Sequence, residues 1–380
     1  MTSTRVLAPS LAAIMAIACA SLAGADEWAK TLDASLDDEA YSIAPTMDGG
    51  QVLSGRTEPD QDGNADFWVV KLDSGGEIEW QRTYGGACPC EWAWSVRQTA
   101  DGGYVVAGYT CSCSRSFDVW VLKLDPAGNI VWQNAYGGAE ADTALVVRET
   151  LDARGQPDGY IVGGETLSFG MGDRDMLLLR LNLDGSLAWQ KTYGWYGAEW
   201  LSDVEQTADG GYVVAGATLS LGEYSDAWVL KLAADGSVTW QAAYGGTGQD
   251  SASSIRETRD ALGQPDGYVV AGASRSFTSG RGTDAWVLRL RLDGSVVWQK
   301  AYGGDYGDLA ASIQQAFDQD DRPSGYIVTG ALSAIDGGVN CNLWLLRLGV
   351  NGSVTWLSHY GGCGAVGHSA YELGRSVYQT

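Results

Sequence analysis

The chain has 380 residues, 45% of them hydrophobic and 10% aromatic, and a formal net charge of −23. An excess of carboxylates this large opposes attraction to nucleic acid or to an anionic membrane surface and describes a soluble, acidic exterior. The length exceeds what one ordinary hydrophobic core supports, a limit that stacked small units escape.

Residues 1–25 read as a signal peptide: Arg5 gives a basic start, Leu11–Ala20 an apolar stretch, and Ala23-Gly24-Ala25 a small-residue cleavage site. The apolar stretch is too short to span a bilayer, so no transmembrane segment is expected. A rival reading makes Cys19 the acylated cysteine of a lipoprotein signal. Either way the expectation is export, to the periplasm, the cell surface or the medium, with 26–380 as the mature domain.

From there one unit recurs. Clear copies end at Trp80, Trp132, Trp189, Trp240, Trp298 and Trp356 and a worn one at Trp28, at intervals of 52, 52, 57, 51, 58 and 58 residues. Residues 253–304 show its parts: a short alternating run, Gly-Tyr-Val-Val-Ala-Gly at 267–272, Ala-Trp-Val-Leu-Arg-Leu at 285–290, and a last run at 296–302. These are four strand-length runs separated by turn residues, and the Asp293-Gly294 between the last two is a hairpin signal. The links are too short for crossover helices, so the strands form an antiparallel meander. The middle strands are apolar at nearly every position, which requires cover on both faces, and only neighbouring repeats can supply it. Four-stranded sheets stacked face to face at this period make an all-β propeller. Six blades are complete. Trp28–Thr31 looks like a lone fourth strand and 374–380 like a lone first strand, which together predict a partial seventh blade; a six-bladed ring with frayed ends or a truncated gene are the alternatives. In blades 3, 5 and 6 the first hairpin is longer, at 151–159, 260–267 and 318–325.

The run Leu-Asp-x-x-Gly-x-x-x-Trp at 124–132 resembles the third-to-fourth-strand signature of quinoprotein (PQQ-like) propeller repeats. With Asp-Gly-Gly-Tyr-Val-Val-Ala-Gly at 101–108 and 209–216, and Trp-Gln-x-x-Tyr-Gly-Gly after it, the chain resembles a repeat family of secreted bacterial and archaeal propellers. The resemblance covers about 41–362. It implies architecture and carries over no catalytic residue, because the adjacent cysteine pair of the quinoprotein dehydrogenases is absent.

Positions filled in every blade read as scaffold. Asp66, Asp118, Asp175, Asp226 and Asp284, with Asn342 in the sixth blade, precede the third strands and are expected to bond local backbone N–H groups. Most tryptophans are strand anchors. Trp92, Trp195 and Trp200, with Tyr196 and Tyr306, fall in what read as loops between blades, among acids such as Glu140, Asp142, Glu199, Asp250, Asp305 and Asp308. Aromatic platforms beside carboxylates suit a sugar or a peptide. In 58–66, Glu58, Asp60, Asp62 and Asp66 offer calcium-type oxygens around Gly63. No other cofactor is expected. Six cysteines follow the signal. Cys341 and Cys363 are expected to bridge, and Cys88 and Cys90 to join Cys111 and Cys113 in an order the sequence leaves open; a tetrathiolate metal site is the rival. The only histidines are His359 and His368, and no nucleophile-elbow, zinc or phosphate-loop motif occurs. The sequence therefore predicts a monomeric, non-catalytic binding or scaffold propeller meeting a protein or glycan partner. The alternative is a secreted hydrolase or oxidoreductase with a carboxylate-based site on the same face.

Overall fold

The computed structural model describes residues 38–57, 65–86, 90–112, 116–278, 282–304, 307–332 and 342–360, with two short strands at Ala16–Ala18 and Trp28–Lys30. Six four-stranded antiparallel sheets follow one another, each with its strands in sequence order. Their first strands are Glu39–Pro45, Glu91–Gln98, Asp142–Leu151, Glu199–Gln206, Asp250–Arg259 and Asp308–Phe317. Blade 4 continues with Tyr212–Thr218, Asp226–Leu232 and Val238–Tyr244, and the other blades repeat that plan. Successive first strands touch one another and fourth strands are the most exposed, so the first strands line the inside and the fourth the rim. This is the β-propeller that the repeat predicts. Among the described residues no helix is long and apolar enough to cross a membrane.

The two-residue period of a strand puts alternate side chains on opposite faces. In blade 2, Val106 and Leu122 pack toward blade 1 while Val105 and Val121 pack toward blade 3. That is why the middle strands lack polar positions: each face belongs to a different inter-blade core. First strands bulge against the second, as between Ala93 and Ser95. The facing Gly108 permits it, since a Cβ there would stand 1.8 Å from the Trp92 carbonyl oxygen.

The recurrent Trp-x-x-x-Tyr of the fourth strand proves to be a clasp on the next blade rather than a core plug. Trp298 is half-buried, stacks edge-on against Tyr326 at 6.0 Å, and donates its indole N–H to the Val350 carbonyl at 3.2 Å. Four residues on, the Tyr302 hydroxyl donates to Gly352 O at 2.7 Å. Trp240 and Tyr244 treat the hairpin of blade 5 in the same way, at Leu292 and Gly294. The fully buried tryptophans are those of the third strands, Trp68, Trp228 and Trp286.

The N-terminal strand at Trp28 pairs with Ala16–Ala18, inside the segment read as a signal peptide, so cleavage after Ala25 would remove its partner. The strand expected at 374–380 lies outside the described residues.

Candidate functional site

One repeat position separates the blades into two groups. Directly after the glycine of the second strand, blades 4, 5 and 6 carry Ala217, Ala273 and Ala331, whereas blades 1, 2 and 3 carry Arg56, Tyr109 and Glu165. The register pairs these three with Glu39, Trp92 and Thr143 on the inner strands. An aromatic wall is the result. Tyr41 stacks on Trp94 at 4.2 Å and lies 5.8 Å from Trp92; Trp92 lies 5.7 Å from Tyr109, and Tyr109 4.9 Å from Phe117. The Arg56 guanidinium sits 4.7 Å over the Trp92 ring and bonds Glu39 at 3.2 Å.

Beyond Tyr109 and Phe117 the wall opens into a cavity of about 310 Å³ between blades 2 and 3, closed by Thr143, Leu167, Glu165 and Arg174. Arg174 holds Glu165 at 2.6 Å. Burial pushes the Glu165 carboxyl up and Arg174 counteracts it. The disulfide between Cys90 and Cys111, with Cα atoms 5.7 Å apart, ties the start of the first strand to the end of the second. Cys111 pairs directly with Phe117, so the bridge anchors the same wall. It gives one of the two links expected between the Cys88/Cys90 and Cys111/Cys113 arms and takes two sulfurs from the tetrathiolate alternative. Cys88, Cys113, Cys341 and Cys363 lie outside the described residues.

Several acids expected on the open face are inside instead. Asp142, Glu199, Asp250 and Asp308 begin first strands and are at most 4% exposed. Each faces the aspartate at the start of the preceding blade's third strand, over the glycine that follows the fourth-strand tyrosine. At Gly194, a Cβ would meet Asp175 Oδ1 at 1.7 Å and Glu199 Oε2 at 2.5 Å. Gly137, Gly245 and Gly303 show the same convergence of two carboxylates. Asp175 accepts a local N–H as expected, from Met171 at 2.7 Å through Oδ2, while its Oδ1 turns to the acid of the next blade. In blade 2, Glu91 is pushed up to about 7 by burial and by the neighbouring Asp66.

Of the aromatics singled out in the sequence, Trp92 and Trp200 lie within first strands, not in loops, and Trp92 is central to the wall. Trp195 does lie in a connection, but its ring packs against Trp228 at 5.0 Å and the core of blades 3 and 4. Tyr196 is 82% exposed, and Tyr306 lies outside the described residues. Glu58, Asp60 and Asp62 are also outside them; Asp66 stands at a third-strand start beside Gly85. Sequence reasoning passed over Tyr41, Tyr109, Phe117, Glu165 and Arg174. The signal was present as the departure of blades 1 to 3 from alanine after the second-strand glycine. A larger cavity, about 420 Å³, opens between blades 5 and 6 at the opposite end, under the long first hairpins. Its Arg289 and Asp266 bond each other at 2.7 Å, and its Tyr326 ring is already covered by Trp298, so it offers a ligand little.

Part of the chain matches a β-propeller family model. A family described as "Domain of unknown function (DUF5122) beta-propeller" matches residues 156–187. No curated protein matches the sequence. Among solved structures, Sqt1 of Chaetomium thermophilum bound to the N-terminus of ribosomal protein L10 is 11% identical, with a TM-score of 0.48 over 85% of this chain and 88% of that one. An apocarotenoid oxygenase of Synechocystis gives 11% identity and 0.47 over 83% and 70%. A putative exo-β-1,3-galactanase of Bifidobacterium bifidum gives 14% and 0.41 over 70% and 92%. Their described activities differ from one another, and none passes to this chain on likenesses of that size.

Proposed function

We propose that the protein is an exported, non-catalytic binding propeller whose aromatic wall on blades 1 to 3 receives a neutral sugar unit of a glycan. The observation that carries this reading is the clustering of Arg56, Tyr109 and Glu165, with their partners Trp92 and Thr143, at a position that is alanine in the other three blades. Sugar rings present apolar C–H faces that stack on aromatic side chains and hydroxyls that pair with a carboxylate or a guanidinium. Tyr109 and Phe117 supply the first kind of contact, Glu165 and Arg174 the second. The cavity is at the small end of the roughly 300–1,000 Å³ range of ligand sites, which favours one ring over a long segment. Net charge of −23 disfavours an anionic ligand. Burial of Asp142, Glu199, Asp250 and Asp308 takes four of the six acids singled out on this face away from a ligand, which supports binding over turnover. Calcium in the loop of Glu58, Asp60, Asp62 and Asp66 stays within the proposal as a brace for the neighbouring blade.

The test is a glycan array with the mature chain, followed by calorimetry on the best ligand. Phe117→Ala and Glu165→Gln should each weaken binding at least tenfold while leaving the melting temperature of the parent. Binding to peptides and to no glycan, or unchanged affinity in both variants, would refute the reading; turnover of the bound glycan would move the protein to the enzyme class.

A further inference from the structure

Independently of any ligand on the open face, the acids between blades bear on how the ring is held together. At the junction of blades 3 and 4, Glu199 is fully buried and its oxygens are supplied with donors: Thr218 Oγ1 at 2.8 Å, Ser220 Oγ at 2.5 Å and Trp195 N at 3.1 Å. Asp175, 2% exposed, accepts from Met171 N through Oδ2, but no donor reaches its Oδ1. That oxygen and Glu199 Oε2 converge on one point above Gly194. The next junction repeats the arrangement. Asp250 accepts from Gly246 N at 2.9 Å, Ser276 N at 3.3 Å and the hydroxyls of Ser274 and Ser276. Asp226 Oδ1 and Asp250 Oδ2 then meet above Gly245, 2.0 and 2.7 Å from where its Cβ would be. Among the described residues the charged groups on the surrounding loops are Asp173, Arg174, Glu223 and Arg275; Arg281, in the last of these loops, lies outside them. Of the two described cations, Arg174 is bound to Glu165 and Arg275 to Thr283.

Asp175 is buried and Asp226 half-buried. Carboxylates that share a point, with no cation among the described residues between them, do not both ionise; one keeps a proton and donates it to the other. We infer that Asp175 and Asp226 are carboxylic acids at neutral pH, donating a hydrogen bond across a blade junction to Glu199 and to Asp250 respectively. The first-strand acid is the acceptor because N–H and O–H donors already surround it. Asp175 carries the proton because its Oδ1 faces only another acceptor, and Asp226 turns its Oδ1 to the acid of the next blade in the same way. Asn342 fills the same position in the sixth repeat, and an amide N–H₂ is the permanent counterpart of that O–H. Burial first, and then the neighbouring acid, push both Asp175 and Asp226 upward.

The sign of the linkage follows. A carboxyl raised in the folded chain binds a proton that the unfolded chain releases above about pH 4. Between that value and the folded value, the unfolding equilibrium constant rises about tenfold per pH unit for each proton so held. The experiment compares the parent with Asp175→Asn and Asp226→Asn, singly and together, in chelator-treated buffers. Infrared spectra of the folded parent at pH 7 should contain the carbonyl stretch of protonated carboxyls, and the double variant should lose the part that Asp175 and Asp226 contribute, leaving that of Glu91. Urea unfolding across pH 5–8 should show a steeper loss of stability in the parent than in either single variant. No protonated-carboxyl band at pH 7 in the parent overturns the inference even where a variant fails to fold. So does stabilisation of the parent by a divalent ion that Asp175→Asn abolishes, because a metal would then occupy the place of the proton.

Discussion

The basic residue near the end of each third strand is matched in length to its own blade. Lys71, Lys123 and Lys231 are at most 6% exposed, and their ammonium groups meet Asp48 at 2.8 Å, Asp101 at 2.9 Å and Asp209 at 2.9 Å in the short first hairpins. Blades 3 and 5 have long first hairpins and use Arg180 and Arg289, which bond Asp158 at 2.6 Å and Asp266 at 2.7 Å together with the strand-end carbonyl. A guanidinium fork can hold both acceptors once the hairpin moves its carboxylate away; a single ammonium on a flexible stem suits the tighter turn. Asp209→Ala leaves the Lys231 ammonium buried with the Leu232 carbonyl alone, and should cost roughly 1–3 kcal/mol in urea unfolding. The pairing also fixes a pH dependence. Lys71 and Thr46 hold Asp48 down at about 2. A lowered carboxyl stabilises fully above its unfolded value near 4 and loses that contribution as pH falls through its folded value. The stability difference between the parent and Asp48→Ala should therefore be present at pH 6 and shrink toward pH 2.

At the scale of the element, the fourth-strand clasp and the third-strand core make different demands. Trp286 is fully buried among residues of blades 4 and 5, so Trp286→Ala should cost about 3–5 kcal/mol. Trp298 is half-buried on the rim, so its truncation should cost roughly 1–3 kcal/mol, through lost area and one indole hydrogen bond. Equal losses for the two in reversible unfolding would contradict the division into core and clasp. The Cys90–Cys111 bridge closes a separation of 21 residues, and its removal in a Cys90→Ala, Cys111→Ala variant should cost about 3 kcal/mol. The double variant should also bind glycan less tightly, because Phe117 stands opposite Cys111. These elements were legible in the sequence to unequal degrees. Strand order, hairpin lengths and the buried third-strand tryptophans follow from period and apolarity, which act within one repeat. Trp298 reads as core because a conserved-looking aromatic in every unit says nothing about rim or centre. Trp92 and Trp200 read as loop because the first strands begin one turn earlier than their apolar pattern, at the buried acids Glu91 and Glu199. That two such acids meet an aspartate of the preceding blade is a property of stacking, and no single repeat contains it.

For the whole molecule, the inner ring departs from its own symmetry at two adjacent places, Val146 in blade 3 and Asp203 in blade 4. Ser42, Ser95, Ser254 and Ser312 occupy the same first-strand position, and the first two accept the backbone N–H of the following blade, as Ser95 does from Val147 at 3.2 Å. In blade 4 that position is Asp203, 5% exposed, which bonds Arg148 of blade 3 at 2.9 Å and Arg256 of blade 5. It also accepts the Ile255 N–H at 3.1 Å, so it does the serine's work and ties three blades together. Burial alone would raise Asp203; the two guanidinium groups outweigh it and hold the carboxyl at about 2. Asp203→Ser restores the consensus of the ring and yet should destabilise the protein by roughly 3–5 kcal/mol, because Arg148 and Arg256 would be left without their shared anion. Blade 6 carries Gln314 at the arginine position. Adding Arg148→Gln and Arg256→Gln to Asp203→Ser should therefore recover most of the loss, whereas either arginine replacement in the parent should lower stability. Asp203 is ionised down to about pH 2, so the penalty of Asp203→Ser should be complete at neutral pH and decline only below the unfolded value near 4. A triple variant no more stable than Asp203→Ser alone would mean that the carboxylate acts through the backbone of blade 5 and not through the two arginines.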